Sequence, residues 1–167
     1  MQQKSVFKSI LWVSLFILPF SLFAQVLSPE QFLGYKVGTR FTRHHQIVNY
    51  FTAIAAAKSD MVKLLPYGKT NEGRDLLVAA IGTAENIKNL EQIRKHNLGL
   101  VEGTVQDLNQ PGIVWLSYNV HGNEPASSEA AMLTLFALVD PNNNETKNWL
   151  KNTVVMIKKK TLRPQLI

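Results

Sequence analysis

Residues 113–125 read Ile113-Val114-Trp115-Leu116-Ser117-Tyr118-Asn119-Val120-His121-Gly122-Asn123-Glu124-Pro125. The first four are continuously apolar, as in a strand buried on both faces of a mostly parallel sheet. The strand is expected to run on through Val120. Pro125 suits the first position of a helix, because its missing N–H costs nothing there. That helix carries Ala130, Met132, Leu133, Leu135, Phe136, Leu138 and Val139, so apolar side chains fall on most of its faces and it should be largely buried. Asp140-Pro141-Asn142-Asn143-Asn144 ends it.

On the far side, a short helix near 145–151 and a strand over Thr153–Ile157 follow. Upstream, Ile47, Phe51 and Ile54 recur at helical spacing, with Val48 and Ala55 beside them, which predicts a helix over 43–58 capped by Thr42. Met61–Pro66 and Leu76–Ile81 read as strands joined by the turn-rich Gly68-Lys69-Thr70-Asn71-Glu72-Gly73-Arg74-Asp75. Residues 85–97 suit one surface helix, with Ile87, Leu90 and Ile93 inward. Residues 26–41 read as a leader punctuated by Pro29, Gly34 and Gly38. Strands alternating with helices predict a layered α/β fold.

The loop between strand and helix carries the chemistry. A neutral imidazole at His121 and a carboxylate at Glu124 can reach one zinc ion. In open α/β sheets, ligands bind at the carboxyl ends of strands. Spacing alone decides nothing: a chain with this many histidines and glutamates holds such a pair by chance about one time in five. The alternative is a helix N-terminus with Asn123 as cap and Glu124 at the positive end of the dipole.

Composition narrows the classes. The net charge of +6 comes from the two ends, because residues 25–157 hold 12 basic and 12 acidic side chains. A neutral body lacks the clustered basic face that nucleic-acid binding requires, so no nucleic-acid partner is expected. There is no cysteine, and disulfides cannot contribute to stability. Residues 1–24 combine Lys4 and Lys8, an apolar run from Ile10 to Phe23, and Ala24 before Gln25, the pattern of a cleaved secretory signal. A retained anchor is the alternative, but the run is short for a bilayer span of about 20 residues and Pro19 interrupts it. The expectation is a secreted or periplasmic protein without a stable membrane anchor.

The segment Asn119-Val120-His121-Gly122-Asn123-Glu124 after an apolar strand resembles the first zinc-ligand motif of the zinc carboxypeptidases. Tyr67-Gly68-Lys69-Thr70-Asn71-Glu72-Gly73-Arg74 is similar to that family's Gly-x-Ser/Thr-x-Glu-Gly-Arg segment, in matching order and separation. The resemblance spans about residues 30–157 and looks closest to large secreted bacterial members. It implies a three-layer α/β/α fold with a mixed sheet, present as its N-terminal half in residues 25–157. It also implies zinc as cofactor, His121 and Glu124 as metal ligands, and a peptide as substrate. Pancreatic-type members carry an arginine where this chain has Asn123. The departure resembles the regulatory branch, and Asn123 becomes a candidate substrate-binding donor. Arg74 could bind a substrate carboxylate, or with Glu72 tie the two strands of its turn together.

The family further implies a histidine ligand well downstream of the glutamate, an Asn-Arg pair for the substrate carboxylate, a late tyrosine and a late general-base glutamate. The histidines here are His44, His45, His96 and His121, so none follows Glu124 and the base has no candidate. His44 and His45 sit on the predicted amphipathic helix, and His96 in a last helical turn that suits a partly charged ring. After Ile157, where the family resembles Asp-Pro-x-x-Asn-Pro-Asp-Gly, residues 158–167 form a basic tail that reads as a truncated or frameshifted product. Two functions follow. One is a zinc-dependent carboxypeptidase, with an amidase acting on cell-wall peptides or acyl-amino acids as its near variant. The other is a non-catalytic remnant lacking the third ligand and the base. Exposed as an edge, the strand at 153–157 would invite aggregation.

Overall fold

The hairpin forms where turn chemistry dictates. Strands β1 (Val62–Lys69) and β2 (Asp75–Ile81) pair antiparallel from Val62↔Ile81 to Lys69↔Asp75, with a bulge between Pro66 and Gly68. The Thr70 N–H donates to the Arg74 carbonyl (2.9 Å), and the Thr70 hydroxyl accepts from the N–H groups of Glu72 and Arg74. Gly73, at φ 77°, supplies the left-handed residue that closes the loop. Glu72 and Arg74 pair with each other at the tip (2.5 Å). The tie between strands is instead Lys69–Asp75 at 2.8 Å, whose hydrogen bond holds the Asp75 carboxyl below its ordinary range.

The protein was described from a computed structural model covering residues 26–121 and 124–159. Strands β3 (Gly112–Tyr118) and β4 (Thr153–Lys159) complete a four-stranded sheet of order β1-β2-β4-β3. Strand β4 runs antiparallel to β2 and parallel to β3, so the sheet is mixed. The parallel pair is bridged by helices α5 (Ala126–Val139) and α6 (Asn144–Trp149), the crossover that parallel strands require. The remaining helices are α1 (Pro29–Leu33), α2 (His44–Ala57), α3 (Ala84–Lys88) and α4 (Leu90–Val101).

Alternation along the strands assigns each face. Ala79, Ile81, Val155 and Ile157 point to one side, against Ile47, Tyr50, Phe51 and Ile54 of α2 and Met132, Leu135 and Val139 of α5. Ala80 and Val154 point to the other, against Ile87 of α3 and Ile93 of α4. Two separate cores with the sheet between them make the three-layer α/β/α arrangement. Burial pushes the Tyr50 hydroxyl pKa upward, and that hydroxyl donates to the Leu27 carbonyl at 3.0 Å.

Several local expectations need correction. Strand β3 is not buried on both faces: among the described residues it is the sheet edge, and Val114 and Trp115 are 46% and 52% exposed. The strand at 153–159 is central, not an edge, which is why Val154 and Ile157 are fully buried. The apolar run of β3 describes a strand able to take cover on both sides; strand order is not written in it.

The single helix expected over 85–97 is two, because Asn89 ends α3 and starts α4. Helix α4 continues to Val101, so His96 is not in a last turn. Its ring Nε2 instead lies 2.7 Å from the Asp107 carbonyl. Residue Arg43, not Thr42, precedes α2. Within the 26–41 leader, α1 is closed by a capping box of Ser28 and Gln31 and by Gly34 at φ 72°. Helix α5 starts at Ala126 with Pro125 in the cap position, one residue later than the sequence pattern suggests. The signal expected at 1–24 and the tail from residue 160 lie outside the described residues.

Candidate metal centre

Strand β3 delivers its end to the first turn of α5. The Tyr118 hydroxyl pairs with the Thr134 hydroxyl at 2.8 Å. The next residue, Asn119, adopts φ 56°, the left-handed region that a side chain other than Gly, Asn or Asp rarely enters. Its backbone N–H donates to Ser127 Oγ (2.8 Å), and its side-chain Oδ1 accepts from Ser128 Oγ (2.7 Å). The chain then turns toward His121.

His121 Nδ1 and Glu124 Oε1 stand 3.0 Å apart, and the Glu124 N–H reaches back to the His121 carbonyl at 3.3 Å. The two side chains are 69% and 51% exposed. The hydrogen bond from the imidazole, reinforced by its charge when protonated, holds the Glu124 carboxyl below the ordinary carboxylate range. The N-terminal end of α5 lies just beyond, where the helix dipole favours an anion.

This donor pair fits a zinc ion. Nitrogen and oxygen ligands about 2.0–2.2 Å from a tetrahedral ion sit about 3.3 Å from each other. A separation of 3.0 Å therefore needs only a small spreading of the two side chains. Among the described residues no three His, Cys, Asp or Glu side chains gather in a way that could hold a metal ion. His96 is engaged with Asp107, and His44 lines a small cleft with Ile47, Phe51, Asp75 and Leu77. The structure thus brings together His121 and Glu124 and adds neither His44, His45 nor His96 to them.

Other sequence candidates fall elsewhere. Arg74 is paired with Glu72. Asn123 lies outside the described residues, and the cap position of α5 belongs to Pro125. Glu129, the first acid after the motif, is 5% exposed and not free to act as a base. Its carboxylate accepts from the Gly38 N–H (2.7 Å) and the Thr42 hydroxyl (2.5 Å). The clasp on Asn119 escaped the sequence reading. The signal available was two consecutive serines in a first helical turn, where short hydroxyl side chains favour local partners.

A family profile described as zinc carboxypeptidase matches residues 47–158. Among solved structures, the chain is similar to thrombin activatable fibrinolysis inhibitor at 13% identity and a TM-score of 0.52, covering 71% of this chain and 25% of that one. It is also similar to carboxypeptidase A from Helicoverpa armigera at 18% identity and a TM-score of 0.50, covering 71% and 24%. The chain thus spans about a quarter of the length of these structures, and at such identities the similarity speaks for the fold alone. No curated protein sequence matches it.

Proposed function

Because this chain belongs to the zinc carboxypeptidase family, we propose that His121 and Glu124 are two of the protein ligands of a catalytic zinc ion in a peptidase that removes C-terminal residues from peptides. One observation carries the reading: an imidazole nitrogen and a carboxylate oxygen stand 3.0 Å apart at the carboxyl end of a sheet strand. A bound zinc supplies Lewis acidity toward a scissile carbonyl and a water of lowered pKa. The chain's own contribution is orientation. Tyr118 and Asn119 are anchored to α5, and the histidine neighbour holds the Glu124 carboxyl below its ordinary range. Asn123 is proposed as a donor to a substrate oxygen.

Export follows the same reading, with residues 1–24 proposed as the signal and the mature protein as secreted or periplasmic. Among the described residues no helix is long and apolar enough to cross a membrane.

A second reading, a non-catalytic chain, is favoured by one fact: the described residues supply no third ligand. A hydrolytic zinc site uses three protein ligands and leaves the fourth position for water. Equilibrium dialysis separates the ligand assignment from the catalytic one. The 167-residue chain is expected to bind zinc weakly and to retain less than one zinc per chain, and His121→Ala or Glu124→Ala is expected to remove that binding. Unchanged zinc binding in both variants would sink the assignment. Zinc-dependent turnover of C-terminal peptide substrates by this chain, lost in Glu124→Ala, would overturn the non-catalytic reading.

A further inference from the structure

We propose that Asn119 is a positioning residue for the His121–Glu124 pair, and that the hydroxyls of Ser127 and Ser128 are the clasp that holds it in place. The inference rests on the assignment of that pair as zinc ligands. Among the described residues Asn119 is the one non-glycine position at positive φ, and it stands where the strand stops and the ligand loop begins. A left-handed residue at a strand end turns the chain sharply out of the sheet. Here the turn sets Asn119 against Ser127 and Ser128 in the first turn of α5, with His121 beside Glu124 just ahead of that helix.

Asparagine tolerates this conformation better than most residues, but tolerance does not fix it. What fixes it is a pair of contacts to successive residues of the helix. Ser127 Oγ accepts the Asn119 N–H at 2.8 Å, and Ser128 Oγ donates to the Asn119 side chain at 2.7 Å. One contact sets the backbone and the other the side chain, so the residue has little freedom left. Ser128 is buried while His121 and Glu124 are exposed. The rigid part of the site therefore lies behind the ligands rather than in them.

Exposed ligands with unrestrained rotamers lose affinity to the entropy of assembling them, and a fixed backbone lowers that cost. Outer contacts that orient metal ligands typically change metal affinity 10–100-fold when removed. The clasp belongs to that class, with the difference that it acts on the backbone ahead of the ligand instead of on the imidazole.

The test uses the full chain, with zinc affinity read by competition against a chromophoric chelator and ligand geometry read from the visible spectrum of cobalt(II) in place of zinc. Asn119→Gly keeps the left-handed backbone available and removes the side-chain contact. Ser128→Ala removes the same contact from the other end. Both are expected to weaken zinc about tenfold or more and to broaden the cobalt bands. Asn119→Asp, which keeps an acceptor and the same conformational tolerance, should stay within about threefold of the parent, since only the acceptor contact is restored. Ile157→Val, a mild core change remote from the loop, should lower the thermal midpoint and leave zinc affinity alone. Asn119→Gly and Ser128→Ala binding zinc like the parent, while His121→Ala does not bind it, would overturn the positioning role and leave the ligand assignment standing. Parent-like binding by His121→Ala would remove the assignment and the positioning role together.

Discussion

Glu129 lies in the first turn of α5 but holds a segment about ninety residues away in the chain. Its two carboxyl oxygens accept from the Gly38 N–H at 2.7 Å and the Thr42 hydroxyl at 2.5 Å, and the Tyr35 hydroxyl pairs in turn with Thr42 at 2.7 Å. Glu129→Ala removes both acceptors. Hydrogen bonds to a charged group contribute about 1.5–3 kcal/mol each. Gly38 is exposed, so water recovers part of what its N–H loses. The net cost is then about 3 kcal/mol, near the lower end of two such bonds. Glu129→Gln keeps one acceptor oxygen and puts an NH2 where the other stood, so its cost should be about half as large. Urea unfolding followed by circular dichroism measures both values. Limited proteolysis between Tyr35 and Thr42 reports the local consequence, since the freed segment should be cut faster. A loss under about 1 kcal/mol in Glu129→Ala, with cleavage unchanged, would show that the segment is held by α1 packing and not by this carboxylate.

Two further outcomes are expected. In His121→Ala the Glu124 carboxyl should titrate at a higher pH than in the parent, because the hydrogen bond that lowers its pKa is gone; a pKa depressed on folding contributes stability above the unfolded value that is lost as pH falls through the folded one. Carbon-detected NMR titration of Glu124 checks this, and an unmoved pKa would mean the imidazole is not its partner in solution. On the free edge of β3, Val114→Lys should reduce concentration-dependent light scattering while changing stability by no more than about 0.5 kcal/mol, because a charge on an edge strand discourages pairing and the site is half-exposed; unchanged scattering would exclude this edge as the route of association.

The fold was legible where its signal is local. Ile47, Phe51 and Ile54 set α2 within a residue at each end, and the glycine-bearing turn set the hairpin. That His121 and Glu124 would meet was legible too, since they are three residues apart and follow an apolar strand. What the sequence hides is pairing at a distance. Nothing in Thr153–Ile157 says that it lies between β2 and β3, and nothing in the apolar run of β3 says that β4 is its one partner among the described strands. Asn89 ends one helix and begins another, and a pattern of inward apolar residues runs through that joint without a break. The partners of Glu129 and of Asn119 depend on which elements meet, so they became visible only once the layers were assembled.

The central place of β4 has a consequence for how the chain folds. The hairpin β1–β2 closes over a few residues and can form early. It joins β3 only through β4, in contacts such as Val78 with Lys158 that span about half the chain. Loop closure of that length opposes the step until the strand docks. Docking then seals both cores at once, since Val154 belongs to one and Ile157 to the other. The sheet formed by the described strands should therefore appear late and in a single phase, with a rate set by β4 reaching its place.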